Sequence, residues 1–173
     1  MKLIIINGPW GVGKSTTAAL LHHELPGSFH LELDVLRRCI SGYEQDRQKS
    51  FYFSLTLALG IMETCFADGR DVIIDKMFFD GEVIDQLITV AAKFDASVHE
   101  FILWCDNRTL LERGATRGYS SGVFSIDKAQ RSWELIAKLI PLRPTATVLD
   151  TNSLSPADVA QKIMVYLKDI PLT

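Results

Sequence analysis

The chain has 173 residues, 47% of them hydrophobic, with 18 Lys and Arg against 21 Asp and Glu and a formal net charge of −3. That length suits one well-buried domain over residues 1–173 and is too short for two ordinary ones. The acidic balance gives no basic field for a polyanion, so nucleic acid is not an expected partner, and no apolar run approaches the roughly 20 residues of a membrane helix.

The first element is an apolar strand, Lys2 to Asn7, with no cleavable leader expected ahead of it. Behind it stands Gly8-Pro9-Trp10-Gly11-Val12-Gly13-Lys14-Ser15, the G-x-x-x-x-G-K-S/T spacing of a phosphate-binding P-loop. A helix-like segment, Thr16 to Leu25, leaves it, which is the context the motif requires. Glycines let the backbone turn successive N–H groups toward an anion, and the starting helix adds the positive end of its dipole. Lys14 supplies a mobile cation for β and γ phosphates and Ser15 a hydroxyl for Mg²⁺, so a nucleoside triphosphate is the expected ligand.

Pro26-Gly27 turns the chain, and Ser28 to Asp34 reads as a second strand through the alternation of Phe29, Leu31 and Leu33, closing on Asp34. A short helix is expected over Val35 to Cys39, and Asp46 caps a longer one to about Ala67, with Phe51, Leu55, Leu59, Met62 and Phe66 on a core-facing stripe. The aromatic cluster Phe51 to Phe53 offers a pocket wall as an alternative. Asp71 to Asp75 is a short apolar strand ending in a carboxylate, of the kind buried on both faces of a parallel sheet.

A helix from Gly81 to Phe94, a strand from Val98 to Cys105 and a helix from Arg108 to about Ala115 follow. The Gly/Ser-rich stretch Arg117 to Gly122 reads as a mobile loop. A helix over Ile126 to Ile140, a strand over Ala146 to Asp150 and a helix started by Ser155-Pro156 and Asp158 complete the chain. Strands alternating with helices imply a parallel sheet covered on both faces, with ligands beyond the carboxyl ends of the strands, where Asp34, Asp75, Cys105 and Asp150 fall. Cys39, Cys65 and Cys105 are odd in number and form no C-x-x-C pair. They are expected to be small buried residues with reduced thiols in a cytoplasmic protein.

The P-loop, the carboxylate of the second strand, the arginine-bearing segment 108–122 and the Leu149-Asp150-Thr151-Asn152 run resemble the small P-loop kinases that include shikimate kinase, gluconate kinase and chloramphenicol phosphotransferase. The resemblance covers nearly the whole chain. It implies an α/β P-loop NTPase fold of three layers, a five-stranded parallel sheet in the order 2-3-1-4-5, and a lid over about residues 114–125. The implied reaction moves the γ phosphate of ATP·Mg²⁺ to a hydroxyl of a small molecule.

By the same resemblance Gly8 to Thr16, with Thr16 following Ser15, hold the nucleotide, and Arg113 and Asn152 line its adenine side. Arg117 meets transition-state charge. Asp34 is the candidate general base, or a carboxylate capping the next helix, and Asp75 holds water on Mg²⁺ or contacts the acceptor. Arg37, Arg38 and Arg143 are candidates for an anionic group on the acceptor, with Phe78 and Phe79 as candidate walls. The chain has Asp75-Lys-Met-Phe-Phe-Asp-Gly where nucleoside monophosphate kinases carry an Asp-Gly-Phe-Pro-Arg-like run, and Glu32-Leu33-Asp34 where shikimate kinases carry Asp-x-Asp. Neither acceptor is favoured by those stretches. A slow ATPase switch acting on a protein partner, and a kinase of nucleic-acid ends, are the alternative readings, and oligomeric state is not legible.

Overall fold

The structure is a computed structural model and describes residues 1–116 and 125–169. Strand β1 (Lys2–Asn7) pairs in parallel with β3 (Val72–Asp75) on one side and with β4 (Ser97–Trp104) on the other. Strand β2 (Phe29–Leu31) borders β3 and β5 (Thr147–Asp150) borders β4, giving the all-parallel order β2-β3-β1-β4-β5. Parallel neighbours need crossovers, and helices α1 (Lys14–Glu24), α2 (Leu33–Arg38), α3 (Arg47–Ala67), α4 (Gly81–Ala92), α5 (Asn107–Thr116), α6 (Ile126–Leu139) and α7 (Pro156–Asp169) lie in the intervening segments. This is the three-layer arrangement of a P-loop NTPase.

Successive side chains of a strand point to opposite faces, and β1 uses both. Leu3 and Ile5 enter the cluster built with Met62, Phe66, Ile84 and Leu87 of α3 and α4, while Ile4 and Ile6 enter the one built with Ala18, Leu21 and Ile163 of α1 and α7. All four are fully buried, each contributing about 1.5–3 kcal/mol of transfer free energy. The strand feeding the P-loop is therefore packed on both faces and paired along both edges, and the loop inherits a fixed origin.

Three expectations need correction. Strand β2 stops at Leu31, and Asp34 sits in the first turn of α2 instead of at a strand end. The cause is local: the amides of Val35 and Leu36 both donate to Glu32 O, so the chain coils as soon as the strand ends, and an acid in the first turn suits the helix dipole. Helix α3, capped by the Asp46 carboxylate on the Lys49 amide at 2.9 Å, is long and apolar enough to cross a membrane by length and composition. Its Leu55, Ala58, Met62 and Phe66 are nevertheless packed in the core. Finally, Cys39 is exposed, whereas Cys65 and Cys105 are buried and burial pushes both thiols up.

Candidate active site

The loop between β1 and α1 is held open for an anion. Gly8, Gly11 and Gly13 all have positive φ, and a Cβ on Gly8 would stand 2.4 Å from Leu103 O, so only glycine fits where the loop crosses β4. Helix α1 starts from Gly13 with no side-chain cap and no acid in its first turn, unlike α3, α4 and α6, which are capped by Asp46, Asp80 and Ser125. Its first amides thus face outward for a ligand.

The loop is anchored from three sides. Asn7, fully buried, accepts from the amides of Gly8 (2.7 Å) and Phe78 (3.0 Å) and donates to Phe78 O (3.0 Å). Ser132 Oγ accepts from the Trp10 amide at 3.0 Å. That contact depends on α6 being pinned to the end of β4, where Trp133 stacks on Trp104 at 4.8 Å and donates to Cys105 O at 2.8 Å. Pro9 O accepts from Lys14 Nζ at 2.9 Å, which keeps the ammonium over the loop.

The register of β1 against β3 sets Asp75 opposite Ile6, two residues before Gly8 opens the loop. Ser15 Oγ donates to Asp75 Oδ2 at 2.6 Å, and His30 Nε2 engages Asp75 Oδ1 at 2.6 Å. Burial pushes the Asp75 carboxyl up, but the hydrogen bonds from His30 and Ser15 and the charges of His30 and Lys14 outweigh it, so it lies below the usual carboxylate value. The bond to Asp75 raises His30 in turn, against the opposing effect of burial. A hydroxyl and an ionised carboxylate are the hard oxygen donors that Mg²⁺ takes, and it completes its shell with water and phosphate oxygens. Among the described residues no cluster of three or more His, Cys, Asp or Glu is placed for a metal, so the pair suits a metal shared with a nucleotide.

Two clefts meet at the loop. One, of about 490 Å³, runs along Gly11 and Gly13 to Thr109, Arg113, Asn152 and Pro156. Arg113 is fixed there by donation to Thr151 O at 2.5 Å and Asn152 O at 3.2 Å, and Asn152 Oδ1 accepts from the Asp106 amide at 3.0 Å. The other, of about 570 Å³, holds Trp10, Lys14, Ser15, Asp34, Asp75 and Lys76. In it Lys76 Nζ donates to Asp34 Oδ1 at 2.5 Å.

Of the residues expected from sequence, Lys14, Ser15, Asp34 and Asp75 converge in the second cleft, and Gly11, Val12, Gly13, Arg113 and Asn152 in the first. Gly8 and Pro9 shape the loop from buried positions, Trp10 faces the second cleft, and Thr16 is exposed and lines neither. Arg117, with most of the expected lid, lies outside the described residues. Arg143 lines neither cleft and is paired with Glu100 at 2.8 Å and Asp85 at 2.6 Å. Arg38 is exposed and lines neither cleft, Arg37 and Phe79 line the second cleft, and Phe78, buried, lines a smaller space that adjoins it. Sequence reasoning missed Asn7, His30, Lys76 and Ser132. A polar residue closing a wholly apolar strand was the available signal for Asn7, and a lysine directly after a strand-end carboxylate the signal for Lys76.

A family described as an AAA domain matches residues 3–138. No curated protein gives a significant match. Among solved structures, the tunicamycin resistance protein of Deinococcus radiodurans is similar at 22% identity over 96% of each chain with a TM-score of 0.69. A gluconokinase from Sinorhizobium meliloti is similar at 16% identity over 98% of each chain, TM-score 0.68. The APS kinase of Mycobacterium tuberculosis, solved with AMPPNP and APS, is similar at 19% identity over 97% of this chain and 98% of that one, TM-score 0.64. These likenesses establish a shared fold.

Proposed function

We propose, from the premise that the chain belongs to the AAA domain family and has the fold of the small P-loop kinases, that it transfers the γ phosphate of ATP to a hydroxyl of a small molecule in the cytoplasm. The observation that carries this reading is the placement of a phosphate loop between two clefts, with a carboxylate in the one beyond Lys14. Asp34 is gripped by Lys76 through Oδ1 alone, and its Oδ2 makes no hydrogen bond among the described residues. A free carboxylate oxygen beside the phosphate loop is where a hydroxyl acceptor would be deprotonated. Two of the similar structures are kinases by name, and one of them was solved with AMPPNP, which supports a nucleotide in the first cleft.

In this reading the adenine end lies against Arg113 and Asn152, and the loop amides from Gly11 to Gly13 with Lys14 orient the phosphates. Ser15 and Asp75 would hold Mg²⁺, which would supply charge to offset that of the phosphates. Asp34 Oδ2 takes the proton of the acceptor hydroxyl as the oxygen bonds to the γ phosphorus and the bond to the departing ADP oxygen breaks. Lys76, donating to Oδ1, keeps that carboxylate aimed. Because phosphoryl transfer depends mainly on positioning and electrostatics, these parts suffice for catalysis; Arg117 is assigned to the transition-state charge on the earlier resemblance alone.

The test is an ATP-dependent mass-spectrometric screen of pooled hydroxylated metabolites and antibiotics, run with the intact protein and with Lys14→Ala. One species should gain a phosphoryl group with the intact protein only. ATP hydrolysis with no phosphorylated product in any pool, or full transfer by the variant, would refute the reading.

A further inference from the structure

The second cleft has a character that the kinase reading does not require. Its described lining brings six cationic side chains against the two carboxylates of Asp34 and Asp75. Lys14 and Lys76 are committed to Pro9 O and Asp34, and the Arg37 guanidinium stands 5.3 Å over the Tyr43 ring. Arg47 of α3 and Lys128 and Arg131 of α6 also line it, and none of these three side chains forms an ion pair among the described residues. Like charges gathered from separate elements repel one another, an arrangement suited to an anion that joins them.

Beside it opens an annex of about 390 Å³. Arg37, Lys76, Met77 and Phe79 line both spaces, and Phe51 and Tyr52 of α3 wall the annex. Tyr52 and Phe79 are 49% and 41% exposed: large rings left against water, next to a thioether that adapts to flat ligands. At the junction Arg37 Nε is buried without a hydrogen-bond partner among the described residues, an unused donor where the two spaces meet. Apolar walls with a few directed polar groups are the usual make-up of a small-molecule site, and the two spaces together exceed what a compact sugar acid fills.

We infer that the acceptor is an amphiphilic anion, with a flat apolar or aromatic ring in the Phe51–Tyr52–Phe79 annex and an anionic group at Arg47, Lys128 and Arg131. Its hydroxyl then lies at the Asp34–Lys76 pair between them. The inference rests on the kinase reading for the transferred group, but the binding it asserts is measurable without transfer.

The test compares three probes by fluorescence or calorimetry, with AMPPNP and Mg²⁺ present so that the phosphate loop is filled: 4-methylumbelliferyl phosphate, inorganic phosphate, and 4-methylumbelliferone. The ring-bearing anion should bind at least about tenfold more tightly than either half, since ring contacts and charged hydrogen bonds each supply about that factor. Phe79→Ser should weaken 4-methylumbelliferyl phosphate about tenfold without altering inorganic phosphate. The double variant Arg47→Ala/Arg131→Ala should weaken both phosphates and spare the umbelliferone. No binding of the ring-bearing anion, or affinity equal to that of inorganic phosphate and unmoved by Phe79→Ser, overturns the assignment. Failure of AMPPNP to bind would instead strike the kinase reading, and the probes would then be compared without nucleotide.

Discussion

The phosphate loop and the proposed acceptor end of the site are built by opposite means. The phosphate end is backbone: eight consecutive residues from Gly8 to Ser15, three positive-φ glycines and an uncapped helix start. The acceptor end is side chain, with Asp34 from α2, Arg47 from α3, Lys76 after β3 and Arg131 from α6 meeting across the tip of the sheet. A backbone cradle accepts the phosphates of any nucleoside triphosphate, so selectivity for what is phosphorylated must reside in the convergent side chains. Substitutions at the acceptor end should therefore change chemistry and specificity, and those behind the phosphate end should change metal affinity and stability.

The sharpest way to break this division is Asp34→Asn, which keeps the shape and the contact with Lys76 but removes the base. Transfer should fall about 100-fold to 10,000-fold, the range for losing a positioned base. AMPPNP affinity and the unfolding midpoint should hold, because Asp34 is 54% exposed and supports no core contact. Unchanged turnover would show that the hydroxyl needs no base here and that Asp34 serves only α2 and Lys76.

Arg143 tests the division from outside. Glu100 is buried, at 4% side-chain exposure, and Arg143 is half-buried at 11%, so Arg143→Leu strands the Glu100 carboxylate. A loss of about 3–5 kcal/mol is expected in denaturant unfolding, as when one partner of a buried pair is removed. The acceptor KM, measured where the variant is still folded, should not move. A raised KM with intact stability would restore Arg143 to the acceptor.

The same contrast explains what could be read from the chain. Contiguous chemistry is legible: the P-loop spacing, the apolar run of β3 and the Asp46 cap each depend on neighbours in sequence, and the alternation of strands and helices gave the layers. Convergent chemistry is not. His30 reaches Asp75 across 45 positions and Asn7 reaches Phe78 across 71, and periodicity carries no information about such pairs. Asp34 is expected at a strand end but sits in α2, because alternation continues through Leu33 although backbone bonding to Glu32 has already begun the helix. Arg143 looked like a free arginine, since nothing near it in sequence announces Glu100 or Asp85.

The smallest expected effect lies behind the phosphate end, in the pair of His30 with Asp75. His30 is raised above its ordinary 6.5 by the Asp75 hydrogen bond. Its contribution to stability is fully present below 6.5 and is lost as pH rises through the higher folded value. Asp75 is lowered below its ordinary 3.8, burial notwithstanding, by His30 and Ser15, so its contribution is present above 3.8 and is lost as pH falls through the lower folded value. Between those limits both are in place, and a hydrogen bond to a charged group is worth about 1.5–3 kcal/mol. His30→Gln should accordingly lower the unfolding midpoint more at pH 5.5 than at pH 8.5. It should also raise the Mg²⁺ needed for half-maximal rate by about 10-fold, because a partner that orients a metal-holding carboxylate commonly matters by about 10–100-fold in metal affinity. A merely structural histidine would shift the midpoint equally at both pH values and leave the Mg²⁺ requirement alone, which would detach His30 from the phosphate end.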